Sequence, residues 1–304
     1  MGLTWWGWAT TVSGMNLMQV FQRFPDQESC FEYLERVRWA DRPACPLCGS
    51  VKVARKADAY RVGRWNCHDC RSSFNVLSGT IMAKTRVPLQ KWLLAVCLVT
   101  NAKKSISSPQ LARDLDLTQQ TAHYMQQRIR SAMADQNGGA ELLQGIVEAD
   151  ETYVGGKPRR HTKGQNKRGR GTRKQPVVGV VERGGKVVAA ATPNVRGKNL
   201  LRFLKAHVDP EGSVLITDEF PAYNTVKPWI PHAVVNHRTT FGSGLTHTNT
   251  IEGFWSLLKR SWYGTHHHYR KTWLPLYVAE QCWKYNNRRN PDAFGSFIAG
   301  ALAP

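Results

Sequence analysis

Three acidic residues stand where carboxylates could perform phosphoryl chemistry. Asp150 lies in a strand-like segment, Asp218 directly follows a short apolar strand, and Glu252 lies near the start of a helical segment. Transfer of a phosphodiester needs an activated nucleophile and a stabilised leaving oxygen, and two Mg²⁺ ions held by carboxylate oxygens supply both. Charged side chains that interrupt apolar segments are costly to bury without a partner such as a metal. The three carboxylates are therefore candidates for a paired-metal site.

Other charged residues share these segments. Side chains alternate along a strand, so Glu148 lies on the face of Asp150 and competes with it for the assignment, whereas Glu151 faces the other way. Lys259 follows Glu252 by seven positions, which is two helical turns, and both side chains project from one face. Lys259 therefore belongs to the candidate site.

The histidines near these carboxylates are ambiguous. His237 follows a short strand and either hydrogen-bonds a phosphate or the attacking water, or braces its loop. His247 has the same two interpretations. The histidine triplet 266–268 does not have the pattern of a metal site, because adjacent residues on a helix point in different directions.

Four cysteines form two pairs with metal-ligand spacing. Cys45 and Cys48 form the first pair, Cys67 and Cys70 form the second, and 18 residues separate the pairs. Zinc takes four thiolates in a tetrahedron, and a tight turn presents two of them from positions i and i+3. Gly49 allows the backbone to fold over the sulfur without a Cβ clash. We expect a structural zinc ribbon, because four thiolates leave no open position for catalysis.

The composition excludes an integral membrane protein, a disordered chain and a small disulfide scaffold. Of the 304 residues, 41% are hydrophobic and 21% are charged, which is ordinary for a folded protein with a core. No apolar stretch approaches the roughly 18–20 residues of a membrane-spanning helix, so no membrane partner is expected. The formal net charge of +20 predicts a polyanionic partner, most often nucleic acid. The seven cysteines, an odd number, are typical of a reducing cytoplasm.

A basic segment follows the strand of Asp150. Between Gly155 and Lys174 the chain has nine basic residues, five glycines and no acid. Such a segment does not fold alone, because its self-repulsion is strong and little of it is apolar. It is either a plain solvated loop or a segment that neutralises DNA phosphates and orders on binding. The candidate DNA-binding residues, with Arg260 added from the helix of Glu252, are Lys157, Arg159, Arg160, Lys163, Lys167, Arg168, Arg170, Arg173 and Lys174.

Helical spacing over residues 105–133 predicts two helices joined by a short turn. The small residue Ala112 and a turn of three to four residues suit the close crossing of a helix-turn-helix. The alternative is an ordinary helical hairpin. Arg113, Arg128 and Arg130 form a basic face that favours the DNA-binding interpretation.

Beyond residue 139 the apolar period changes from 3.6 to 2, and Val, Ile and Thr become frequent. Strands, a helix, more strands and then helices predict an α/β layout with a mixed sheet. The predicted strands are 146–154, 177–182, 186–192, 213–217 and 233–236, with a helix at 198–208 and helices from about 248 onward. The expected domains are an extension at 1–14 that we expect to be disordered, N-terminal helices and zinc ribbon at 15–80, a helical region with the helix-turn-helix at 81–140, a catalytic domain at 141–291, and a tail at 292–304. The natural start is expected at Met15 or Met18.

Several motifs carry a resemblance to a known family. They are the segments 147–156, 216–223, 235–237, 247–260 and 285–288. Their order resembles that of bacterial insertion-sequence transposases, which join an N-terminal zinc ribbon to a DDE catalytic domain of the RNase H-like fold. The resemblance covers roughly residues 15–291.

The resemblance implies an α/β fold, with an RNase H-like mixed sheet and flanking helices that follow the zinc ribbon and the helix-turn-helix. It implies Asp150 and Asp218 as two aspartates, and Glu252 as the third carboxylate, of a catalytic site for Mg²⁺ or Mn²⁺. Some relatives use an asparagine near the third position, so Asn249, one helical turn before Glu252, is the alternative third ligand. In this scheme Lys259 contacts a phosphate near the scissile bond.

The implied function is that of a DNA transposase of an insertion sequence. It would cut double-stranded DNA at the element ends and transfer the freed 3′-hydroxyl into target DNA. A homodimer or higher oligomer is expected, because both ends must meet in one complex, and the expected location is the bacterial cytoplasm at the nucleoid. Two other functions remain open from the residues: an RNase H-like nuclease or resolvase, and a catalytically inactive DNA-binding protein.

Overall fold

The computed structural model describes residues 14–40, 42–56, 62–137, 141–156, 172–235 and 246–303. The chain divides into two compact units, the first formed by Met1–Thr100 with Arg288–Pro304 and the second by Asn101–Asn287. The helices of the described residues are α1 (Leu17–Arg23), α2 (Gln27–Trp39), α3 (Leu89–Asn101), α4 (Ser108–Leu115), α5 (Gln119–Asn137), α6 (Gly197–His207), α7 (Asn249–Ser261), α8 (Leu274–Asn286) and α9 (Ala293–Leu302). The strands are β1 (Val53–Arg55), β2 (Trp65–Cys67), β3 (Ser73–Phe74), β4 (Leu143–Val154), β5 (Gln175–Glu182), β6 (Val187–Ala191), β7 (Val208–Asp218) and β8 (His232–Val235).

In the first unit, a small antiparallel sheet in the order β1-β2-β3 lies against helix α2. Asp26 begins α2 by accepting a hydrogen bond from the backbone N–H of Ser29 at 2.8 Å. Near the end of that helix, Trp39 contacts the rings of Trp65 and Phe74 edge-on. The core of the ribbon is therefore a few aromatic rings beside the cysteines.

The second unit contains a five-stranded sheet in the order β6-β5-β4-β7-β8. β5 pairs antiparallel with β4 and β6, whereas β4, β7 and β8 run parallel to one another. This is the RNase H-like mixed sheet, and it confirms the predicted fold class. The parallel arrangement brings the ends of β4 and β7 to the same edge of the sheet.

Helices cover both faces of this sheet. Val147 and Ala149 of β4 face one side, where α6 contributes Leu200 and Leu204 to the core. The other side is covered by α7 and α8, and Phe254 of α7 is fully buried there. Alternation along β4 therefore sends its even-numbered residues, Asp150 included, towards α7.

The segment predicted as a helix-turn-helix or a helical hairpin folds as two helices, α4 and α5. Ser107 caps α4, and Thr118 caps α5 by accepting from the backbone N–H of Thr121 at 3.2 Å. Arg130 does not belong to the predicted basic face, because its side chain is 1% exposed and its Nε lies 2.6 Å from Glu280 of α8. The sequence interpretation of Arg130 as a DNA-facing residue was therefore wrong, since the residue lies on the buried side of α5.

Within the residues that the structure describes, no helix combines the length and the hydropathy needed to span a membrane.

Candidate functional site

The parallel pairing of β4 with β7 brings two aspartates to one edge of the sheet. The last paired residues of these strands are Glu148 and Ile216, and Asp150 and Asp218 each lie two residues further along. Neighbouring strands are about 4.8 Å apart, and residues two apart share a face. Asp150 and Asp218 therefore lie side by side, although 67 residues separate them in the sequence.

Helix α7 brings the third carboxylate to the same place. Glu252 lies in its first turn, and Lys259 and Arg260 lie in its last turn, at spacings that keep them on one face. Together they line an open cleft of about 600 Å³. The residues that line it are Asp150, Glu151, Thr152, Asp218, Thr248, Glu252, Trp255, Ser256, Lys259, Arg260 and Tyr263.

Asp150 is held by a tryptophan of α7. The Trp255 indole N–H donates to an Asp150 carboxylate oxygen at 3.0 Å. Gly179 pairs with Asp150 across β4 and β5, and a Cβ at Gly179 would lie 2.5 Å from the Trp255 ring. A glycine at this position therefore makes room for the indole that orients Asp150. The sequence analysis missed this contact, because nothing in the sequence links Gly179 to Trp255.

Several carboxylates near one edge of the sheet determine the electrostatics of the cleft. Burial, reinforced by the neighbouring carboxylates of Glu151 and Asp218, raises the pKa of Asp150 to about 7. Glu151, which was predicted to face the other way, also lines the cleft, and its carboxylate accepts from the buried Tyr223 hydroxyl at 3.4 Å. Burial and the same carboxylates raise the pKa of Tyr223 well above its ordinary value. A divalent cation in the cleft would offset this repulsion, so the donor set fits Mg²⁺ or Mn²⁺.

The carboxylates are spread rather than clustered around one point. Among the described residues, the cysteines form the only group of three or more possible ligands whose atoms all lie within 4.8 Å of one another. Two ions about 3.5–4 Å apart, each with oxygens at about 2.1 Å, place the outer ligands up to about 8 Å apart. Carboxylates that do not all converge on one point are compatible with a pair of ions.

The other predicted site residues lie in different places. Asn249, the alternative third ligand, is the exposed first residue of α7 and is not among the residues that line the cleft. Arg173 and Lys174 directly precede β5. His237 lies outside the described residues, as do the basic residues Lys157, Arg159, Arg160, Lys163, Lys167, Arg168 and Arg170. Glu148, which competed with Asp150 in the sequence, is fully buried and contacts the beginning of α7 instead of the cleft.

The four cysteines converge on a second site in the first unit. Their sulfurs all lie within 4.8 Å of one another. The Cys45 and Cys70 sulfurs are 3.7 Å apart, and the Cys48 and Cys67 sulfurs are 3.6 Å apart. A tetrahedral zinc with Zn–S bonds of about 2.3 Å requires sulfurs about 3.8 Å apart. The thiols therefore fit a structural zinc ion, and all four positions of the ion would be filled by protein.

Two similar turns build the thiol site. Cys45 N–H donates to Ser50 at 2.9 Å, and Cys67 N–H donates to Ser72 at 3.0 Å. The residue after each second cysteine has a positive φ, which is +75° at Gly49 and +58° at Arg71. Gly49 adopts this conformation without strain, whereas Arg71 does so at a steric cost. The predicted Cβ clash at Gly49 is not present, because an added Cβ would meet no atom within 4 Å, so the glycine serves the positive φ and not the space.

Comparison with known families identifies the class of protein that this fold and these sites define, a transposase. Residues 142–286 match the family of the ISXO2-like transposase domain, and residues 25–73 match the transposase zinc-ribbon domain. A relative from Halobacterium salinarum, described as an uncharacterized protein in transposable element ISH50, is 30% identical over 275 residues, which are 86% of this chain and 91% of the relative. The chain belongs to the family of insertion-sequence transposases with an ISXO2-like domain and a zinc ribbon.

Solved structures give weaker similarities. A simian T-cell lymphotropic virus intasome in complex with PP2A regulatory subunit B56 gamma matches 53% of this chain at 16% identity with a TM-score of 0.28, and this chain covers 57% of the matched chain. The Mos1 strand transfer complex matches 66% of this chain and 75% of its own at 13% identity, with a TM-score of 0.26. At these TM-scores the similarities carry no argument about the site, which depends on the contacts described above.

Proposed function

We propose that the protein is a Mg²⁺- or Mn²⁺-dependent DNA transposase that cuts the ends of its insertion sequence and joins the freed 3′-hydroxyls to target DNA. The observation that supports this is the meeting of Asp150, Asp218 and Glu252 in one cleft of a transposase-family chain. Two strands and a helix, distant in sequence, each contribute one carboxylate.

Each side chain of the cleft has a separate role in this proposal. Asp150, Asp218 and Glu252 would together hold the divalent ions. When bound, the ions supply an activated nucleophile and a stabilised leaving oxygen. Trp255 keeps the Asp150 carboxylate oriented, and Lys259 contacts a phosphate near the scissile bond.

Charge supports DNA as the substrate. The chain carries a formal net charge of +20. Lys259 and Arg260 line the cleft beside the carboxylates, and Arg173 and Lys174 directly precede β5, whose first residue pairs with the last residue of β4. Basic side chains therefore flank the edge of the sheet where Asp150 lies. We infer that they hold the DNA backbone there, and that two or more copies assemble because two element ends must be joined.

Cleavage and joining of the DNA that flanks this gene, with Mg²⁺ or Mn²⁺, test the proposal. The wild-type protein is expected to nick at the element ends and to join them to a second duplex. Asp150→Ala, Asp218→Ala and Glu252→Ala proteins are expected to bind the same DNA without cutting it. Glu219→Ala is the matched control, because Glu219 is an exposed carboxylate next to Asp218 outside the cleft lining.

Three outcomes would contradict this assignment. Cutting of branched DNA without joining at defined ends would indicate a nuclease or resolvase. Binding without any chemistry would indicate a catalytically inactive DNA-binding protein. An active Glu252→Ala protein beside an inactive Asn249→Ala protein would move the third ligand to Asn249.

A further inference from the structure

One buried carboxylate on the strand of Asp150 has no place in the proposed chemistry. Glu148 is fully buried, and its side chain accepts hydrogen bonds from Arg183, Thr250 and Ile251. One carboxylate oxygen accepts from the Arg183 Nε at 2.6 Å and from the Thr250 hydroxyl at 2.9 Å. The other oxygen accepts from the backbone N–H of Thr250 at 2.8 Å and of Ile251 at 3.0 Å. With both oxygens engaged in this way, Glu148 is not available as a metal ligand.

These contacts replace the usual cap of helix α7. Thr248 is the N-cap residue, but its side chain makes no capping bond to the first turn. Its hydroxyl instead donates to the Glu252 carboxylate at 2.9 Å. The first N–H groups of a helix need acceptors, and a negative charge there interacts favourably with the helix dipole. Glu148, which is about 100 residues earlier in the chain, supplies both.

A second set of contacts fixes the segment that leads into α7. Arg183, in the turn between β5 and β6, donates from its Nη2 to the His247 backbone carbonyl at 2.7 Å and to the His247 Nδ1 at 3.0 Å. Arg183 therefore ties the residue before Thr248 to the same carboxylate that caps the helix. We call the contacts of Glu148 with Arg183, Thr250 and Ile251 the Glu148 clamp.

The Glu148 clamp and the Trp255–Asp150 hydrogen bond have matching spacings on β4 and α7. Glu148 and Asp150 lie two residues apart on β4, or roughly 7 Å. The first turn of α7 and Trp255 are separated by about four residues of helix, or roughly 6 Å. Glu148 therefore holds the beginning of α7, and Asp150 holds the helix one turn later through Trp255. Glu252 lies between these two attachments.

We propose that Glu148 is a positioning residue that sets the place of Glu252 relative to Asp150. It fixes α7 on β4 through charge-assisted hydrogen bonds, and α7 carries Glu252, Lys259 and Arg260 into the cleft. This inference rests on the proposed function, in which Glu252 holds a divalent ion. Partners that orient metal ligands typically change metal affinity by about 10–100-fold when they are mutated.

The test uses the full chain and two measurements, the hydrogen exchange of the Thr250 and Ile251 amides and the binding of Mn²⁺ by electron paramagnetic resonance. Glu148→Gln keeps the shape of the side chain and removes its charge. Arg183→Gln is added in a second variant, so that no unpaired buried cation remains if Glu148→Gln folds poorly. Asp292→Asn is the matched control, because Asp292 caps α9 in the other unit by the same kind of contact.

Glu148→Gln is expected to speed exchange at Thr250 and Ile251 and to weaken the binding of one Mn²⁺ by about 10-fold or more. In a Glu252→Gln background the same change is expected to have no further effect on Mn²⁺ binding, because Glu148 acts through Glu252. Asp292→Asn is expected to change neither measurement.

Faster exchange with unchanged Mn²⁺ binding would overturn the inference, since Glu148 would then only stabilise the helix. Additive losses from Glu148→Gln and Glu252→Gln would also overturn it, because the two residues would act independently. A wild-type protein that binds no Mn²⁺ in the cleft would refute the proposed function and the positioning role with it, whereas the exchange measurement would still report whether the clamp holds α7.

Discussion

The two candidate metal sites of this chain differ in how their ligands are arranged. The four thiols of the first unit lie within 4.8 Å of one another and come from two short turns. The carboxylates of the second unit come from two strands and a helix and line an open cleft without such convergence. Four soft ligands fill every position of a zinc ion, whereas spread oxygens leave positions for water and phosphate. The comparison teaches that convergent thiols suit a structural ion, whereas carboxylates on separate elements suit a site that stays open to a substrate.

Removal of the zinc site gives the largest expected effect. Cys67→Ser leaves three thiols, and structural zinc contributes roughly 10–16 kcal/mol of apparent binding free energy in small domains. We expect loss of zinc and unfolding of the ribbon, measured by metal analysis and by the exchange of amides in β2. Mn²⁺ binding in the cleft is expected to persist.

Cys30→Ser is the control for that experiment, because Cys30 is buried in the same unit outside the thiol site. It is expected to retain zinc. If Cys67→Ser lost Mn²⁺ binding as well as zinc, the two metal sites would depend on each other, which would contradict the comparison.

The comparison also shows what sequence analysis can predict. The zinc ligands could be predicted because residues i and i+3 of one tight turn are close together through local geometry alone. Asp150 and Asp218 could be proposed because parallel strands end at one edge, and the mixed sheet is as predicted. Contacts between distant segments could not be predicted. The Glu148 contact with Ile251 and the buried pair of Arg130 with Glu280 both depend on tertiary packing that the sequence pattern does not specify.

The second largest expected effect is the loss of stability of the second unit at acid pH. Burial, together with the nearby Arg130, lowers the pKa of His266 to about 4, against about 6.5 in an unfolded chain. The fold therefore favours neutral His266, so this stabilisation is complete above about pH 6.5 and is lost as the pH falls towards 4. The loss amounts to about 3 kcal/mol. Glu280 acts in the same direction, because Lys284 and Arg130 outweigh its burial and hold its pKa well below the ordinary range.

His266→Phe is expected to flatten the pH dependence of unfolding between about pH 6.5 and 4, measured by the exchange of amides in α8. The ring should still pack between Tyr269 and Tyr277, which contact His266 edge-on or tilted. His268→Phe, at an exposed position, is the control. An unchanged slope in His266→Phe would refute the assignment of this acid sensitivity to His266.

Loss of the Trp255 hydrogen bond to Asp150 is expected to have a smaller effect. Trp255→Phe removes the indole N–H that donates to Asp150 and keeps most of the ring. Since partners of metal ligands typically matter about 10-fold or more, we expect cleavage at limiting Mg²⁺ to fall by about 10-fold, with DNA binding unchanged. Trp262→Phe is the matched control, because the buried Trp262 N–H has no hydrogen-bond partner among the described residues. If Trp255→Phe and Trp262→Phe lost equal amounts of cleavage activity, the loss would come from ring packing and not from the hydrogen bond to Asp150.

The smallest effect is expected at the rim of the cleft. Arg260→Gln removes one cation beside the carboxylates. If Arg260 neutralises one phosphate, the slope of log binding constant against log salt should fall in magnitude by about 0.9. Arg202→Gln on α6, which covers the opposite face of the sheet, is expected to leave the slope unchanged. An unchanged slope in Arg260→Gln would remove this residue from the DNA contacts.

Anomalous diffraction at the manganese edge, from crystals of the full chain with Mn²⁺ and an element-end duplex, tests the central claim most directly. Two peaks about 3.5–4 Å apart are expected in the cleft, held by Asp150, Asp218 and Glu252. A cleft without manganese, or a single peak held by residues other than these three, would contradict the central claim.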